Sequence, residues 1–114
     1  MGARYPARTA RLERLREELR AILPRLVDAD TEKVILFGST ARGDVGSTSD
    51  LDLLVVRRDA RAPAARLDDL YRRIGPRIAV DLLVYTPEEL ESARRSSSFL
   101  RNALREGEVL YERG

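Results

Sequence analysis

Three carboxylates stand where this chain should be apolar. Asp50 and Asp52 lie one residue apart at the head of the run Leu51-Asp52-Leu53-Leu54-Val55-Val56, and Asp81 interrupts the later run from Val80 to Tyr85. If both runs are strands, the period of two puts Asp50, Asp52, Leu54 and Val56 on one face, and Asp81, Leu83 and Tyr85 on one face of theirs. Carboxylates on such a surface are costly to bury unless something positive sits between them. With no histidine and no cysteine in the chain, the available ligands are hard oxygens, which suit magnesium. Two such ions about 3.5–4 Å apart could clamp the attacking and leaving oxygens of a phosphoryl or nucleotidyl transfer. On this reading Asp50 and Asp52 bridge the metals. Asp81 is the third ligand, close enough to the nucleophile to take its proton.

A second group of residues suits the other half of such a substrate. The apolar run Val34 to Phe37 ends in Gly38-Ser39. Gly38 lets the backbone approach an anion, and Ser39 and Thr40 offer hydroxyls and amides to the β- and γ-phosphates of a nucleoside triphosphate. Arg42 adds charge to the same phosphates. Taken singly, each element has a plainer reading: a strand-end turn capped by serine, a solvated strand end, a frayed strand at Asp81, a surface arginine. Their combination and order carry the argument.

The elements that must position these residues follow from local signals. Apolar residues at Leu12, Leu15, Leu19, Ile22, Leu23 and Leu26 predict a helix from about Thr9, with Pro24 kinking or ending it and a loop over residues 28–31. Strands are predicted over residues 34–37, 50–56 and 77–85, with a brief helical turn at residues 40–42. A helix over residues 62–74 ends at Gly75-Pro76. Thr86-Pro87-Glu88-Glu89 opens another as a capping box, with a break near residues 96–98, a stop at Gly107 and a short edge strand after it.

The chain's 114 residues suit one domain that buries roughly two-thirds of its unfolded surface. A single domain over residues 1–114, frayed over 1–8, is the expectation. The 43% apolar and 35% charged content is that of a soluble globule. No apolar run approaches the roughly 20 residues of a membrane span, and the N-terminus lacks a signal-peptide core, so the expected location is cytoplasmic. The arginines of residues 8–20 are interleaved with Glu13, Glu17 and Glu18, which reads as a solvated helix. No direct nucleic-acid binding is expected. The absence of histidine also excludes a histidine-based triad or general base.

Gly38-Ser39, ten residues, then Asp50-x-Asp52 resembles the signature of the nucleotidyltransferase superfamily related to DNA polymerase β. Residues 37–43 and 49–55 are similar in particular to the minimal nucleotidyltransferase (MNT) branch, as are Val80-Asp81-Leu82-Leu83-Val84 and residues 106–111. The resemblance implies an α+β fold with a small mixed sheet flanked by helices. It also implies two Mg2+ ions on Asp50, Asp52 and Asp81, and transfer of AMP from ATP to a hydroxyl. Larger members append a domain that holds the acceptor. In a chain this short the acceptor is expected to come from a partner, and minimal members typically pair with a HEPN-domain toxin. The resemblance therefore implies an antitoxin that adenylylates a tyrosine of a HEPN toxin within a hetero-oligomer. Two alternatives stand beside it: a non-catalytic antitoxin that occludes the toxin, and an aminoglycoside-type enzyme acting on a small molecule.

Overall fold

The computed structural model describes residues 6–38 and 50–114. Helix α1 (Pro6–Leu26) leads into strand β1 (Thr31–Phe37), followed by β2 (Leu51–Arg57), α2 (Pro63–Ile74), β3 (Val80–Tyr85), α3 (Pro87–Ser96), α4 (Ser98–Glu106) and β4 (Glu108–Glu112). The strands form one mixed sheet in the order β3-β2-β1-β4. β1 pairs antiparallel with β2 and β4, whereas β2 and β3 run parallel. A parallel pair needs a crossover, and α2 supplies it.

The two-residue period sorts the strand side chains into two cores. Val34, Leu36, Leu51, Leu53, Val55, Val80 and Leu82 face one way and pack with Leu15, Leu19, Ile22 and Leu26 of α1 and with Leu70 and Ile74 of α2. Ile35, Phe37, Leu54 and Val56 face the other way and pack with Leu100 and Ala103 of α4. β1 and β2 are therefore buried on both faces, which explains their near-continuous apolar sequence. Asp52 has the parity of Leu54 and Val56, and Asp81 that of Leu83 and Tyr85, so both belong to the α3/α4 side.

Several boundaries differ from the sequence-based expectation. α1 opens at Pro6 instead of near Thr9, and Pro24 lies inside it, within two residues of its end. A proline so close to the terminus disturbs little of the remaining helix. Thr31 begins β1 instead of closing a loop: its buried hydroxyl accepts from the Asp28 amide at 3.0 Å and donates to the Leu26 carbonyl at 3.1 Å. β2 starts at Leu51 and takes in Arg57, and β3 starts at Val80, three residues later than expected. The expected helical turn at residues 40–42 lies outside the described residues. α2 ends as expected, with Gly75 in the left-handed conformation at φ 46°, and the break near residues 96–98 separates α3 from α4.

Arginines lock the helices to the sheet. Arg57, 3% exposed, pairs with Asp28 at 3.0 Å and Asp59 at 3.3 Å, and Arg73 of α2 reaches Asp28 at 2.6 Å. Burial acts to raise the Asp28 carboxyl, but hydrogen bonds from Arg73 and Arg57 outweigh it and hold the group well below the usual range. Arg66 of α2 forms a two-pronged pair with Glu89, at 2.6 and 2.9 Å. Glu89 also closes the capping box by accepting the Thr86 amide at 3.0 Å, while the Thr86 hydroxyl accepts the Glu89 amide at 3.1 Å.

The Arg66 bond, followed by the Thr86 amide, lowers Glu89 from 4.5 to about 2. A depressed carboxyl stabilises the fold fully above its unfolded value and loses that contribution as pH falls through the folded one. Glu89→Gln is therefore expected to flatten the acid limb of a stability-versus-pH curve between 4.5 and about 2, read by urea midpoints at stepped pH. An unchanged slope would count against this pair as a source of acid sensitivity.

Among the described residues no helix is long and apolar enough to cross a membrane.

Candidate active site

The expected carboxylates arrive at the same end of neighbouring strands. In the parallel β2–β3 pair Asp52 lies directly opposite Asp81, on backbones about 4.8 Å apart. In the antiparallel β1–β2 pair Asp52 lies opposite Phe37, the residue before Gly38. One carboxylate thus stands between the end of β1 and the start of β3. β1 delivers the Gly38 turn to it, and the α2 crossover returns the chain so that β3 delivers Asp81.

Gly38 is required by this geometry twice over. Its φ is +78°, in the left-handed region that residues bearing Cβ adopt at a cost. A Cβ built there would collide with the Asp52 carboxylate, with the Asp52 Cγ at 3.2 Å. The missing side chain is what lets the β1 turn close down over the acid.

Asp50 is held at the mouth of β2. Its amide donates to the Ala79 carbonyl at 2.9 Å, its Oδ2 accepts the Ala79 amide at 2.9 Å, and Arg11 of α1 donates from Nη2 to its Oδ1. These bonds align the starts of β2 and β3, and with them Asp52 and Asp81. Ser39, Thr40 and Arg42, the remaining expected phosphate ligands, lie outside the described residues. Arg11 is the participant that sequence reasoning missed. It is 39 residues from its partner and reads locally as one more solvated arginine.

The donor set fits a hard divalent cation: three carboxylates from two adjacent strands, with neither sulfur nor imidazole nearby. Among the described residues no three acids are placed to hold a metal ion together, and the Arg11 guanidinium lies beside Asp50.

Comparison with known proteins fits this geometry. Residues 12–105 match the family model described as the nucleotidyltransferase domain. The chain belongs to that family. This nucleotidyltransferase is 38% identical over 81 residues to a Methanocaldococcus jannaschii protein provisionally named a protein adenylyltransferase, a match covering 70% of this chain and 78% of that one. In three dimensions the nucleotidyltransferase is similar to a provisionally named nucleotidyltransferase from Sulfolobus solfataricus. Their TM-score is 0.67 at 23% identity, over 93% of this chain and 87% of that one. It also resembles a chain of a toxin–antitoxin solved with AMP-PNP, with a TM-score of 0.53 at 23% identity, over 85% and 73% of the two chains. These two likenesses uphold the expected α+β fold.

Proposed function

We propose that this nucleotidyltransferase transfers AMP from ATP to a tyrosine hydroxyl of a HEPN-type partner and thereby acts as its antitoxin. The reading is carried by one observation, the register that sets Asp52 against Asp81 beneath the Gly38 turn. A protein as acceptor is supported by the name of the 38% identical relative. An ATP-like donor is supported by the AMP-PNP of the toxin–antitoxin structure that shares the fold. The HEPN class of the partner follows from the sequence resemblance to minimal nucleotidyltransferases.

In the reaction, the acceptor oxygen forms a bond to the α-phosphorus of ATP, and the bond from that phosphorus to the bridging oxygen breaks, releasing pyrophosphate. Asp50, Asp52 and Asp81 would hold two Mg2+ ions, which supply charge neutralisation for the attacking and leaving oxygens. Asp81, on the sheet's outer strand and exposed, is the group within reach of an incoming acceptor, and its carboxylate takes the hydroxyl proton. Gly38, with Ser39, Thr40 and Arg42, binds the β- and γ-phosphates and orients the leaving group.

The test is to incubate the protein with α-labelled ATP, magnesium and a HEPN-type partner protein. Label is expected on a partner tyrosine, with loss of the partner's toxicity. Absence of transfer, or neutralisation that persists when the carboxylates are replaced, would overturn the reading in favour of occlusion.

A further inference from the structure

The chain has two phenylalanines, and they meet beside the carboxylates. Phe37 ends β1 opposite Asp52. Phe99, in the first turn of α4, packs against it edge to face, with ring centroids 5.7 Å apart and planes at 80°. Phe37 is 7% exposed, but Phe99 is 57% exposed. The first turn that carries Phe99 is fixed by the Ser97 hydroxyl, which accepts the Leu100 amide at 3.1 Å, and by Leu100, buried in the core below.

A lone exposed apolar side chain is ordinary; its position distinguishes this one. β1 and β2 are about 5 Å apart. With the Phe37 side chain and the ring contact of 5.7 Å added, the open part of Phe99 lies on the order of 10 Å from Asp52, on the same side of the sheet. A nucleotide whose α-phosphate sits beside Asp52 carries its base across a distance of this order. A phosphate chain held under Gly38 leaves the base needing a flat apolar partner at such a distance, and aromatic rings bind any base through its π-face.

We propose that Phe99 is the stacking platform for the base of the nucleotide donor, a specificity element that rests on reading Asp52 and Asp81 as the donor site. Phe37 is its positioning residue, tying the platform to the strand that also carries the phosphate turn. Because stacking reads area rather than hydrogen-bond pattern, Phe99 by itself favours purines over pyrimidines without choosing between adenine and guanine.

The test is equilibrium binding of magnesium AMP-PNP and of magnesium tripolyphosphate to wild type, Phe99→Ala and Phe99→Trp. Phe99→Ala is expected to weaken AMP-PNP roughly tenfold while leaving tripolyphosphate unchanged, and Phe99→Trp to restore AMP-PNP. Unchanged AMP-PNP affinity in Phe99→Ala overturns the proposal, and if transfer to the partner protein then falls, the ring contacts the acceptor instead. Equal weakening of both ligands also overturns it, by assigning Phe99 a structural role. Wild type that binds neither ligand removes the donor-site reading itself, a result distinct from either of these.

Discussion

Asp52→Asn is expected to reduce AMP transfer by on the order of a thousandfold, about 4 kcal/mol of transition-state stabilisation, while the protein stays folded. The substitution keeps the side chain's shape and removes its charge. Asp52 lies between Phe37 on one strand and Asp81 on the other, so it is the acid from which neither half of the site is remote. A neutral amide there is a weaker ligand for magnesium than a carboxylate, so under the proposed two-metal reading the site would lose its shared ligand. Single-turnover transfer of label, with thermal unfolding as the control for fold, reads the effect. Chelation of divalent ions should produce a comparable loss in wild type, reversed by adding magnesium, whereas magnesium should not rescue the variant. Transfer within tenfold of wild type would remove Asp52 from the reaction.

Gly38→Ala should be the most damaging single-methyl change near the site. Two costs act together. The left-handed backbone at φ +78° costs a residue with Cβ about 1–2 kcal/mol, and the new methyl overlaps the Asp52 carboxylate, so the turn or the acid must move. Displacing a reacting group by about 1 Å can cost on the order of a hundredfold in rate. A fall of several degrees in thermal midpoint is expected together with transfer slowed by about that factor. A variant with wild-type rate and midpoint would show that the turn need not lie so close to Asp52.

Much of this architecture was legible in the sequence because its signals are local. The Gly38 turn, the Asp50-x-Asp52 pair at a strand head, the Thr86–Glu89 capping box, the Gly75 stop and the split between α3 and α4 are each written within a few residues. The facing of Asp52 and Asp81 was only partly legible. Parity assigned each to a face, but the α2 crossover leaves the register of β2 against β3 undetermined by spacing. The Ala79–Asp50 bonds contribute to fixing it. Buried arginine was not legible. Nothing local marks Arg57, at the end of a strand, or Arg66, within a helix, for burial, yet each is nearly inaccessible. Their acidic partners, Asp28 and Glu89, lie 29 and 23 residues away, and only tertiary pairing makes that burial tolerable.

Tyr71 of α2 places its hydroxyl against β3, donating to the Val80 carbonyl at 2.8 Å and accepting the Leu82 amide at 3.1 Å. These are the backbone groups on either side of Asp81, on an outermost strand of the sheet. An open strand edge invites another chain to pair with it, and a phenol that occupies both groups denies an intruding strand its first two hydrogen bonds at the third carboxylate. The protein can therefore keep an exposed carboxylate, Asp81, at the rim of its sheet while discouraging the self-association that an open rim would otherwise promote.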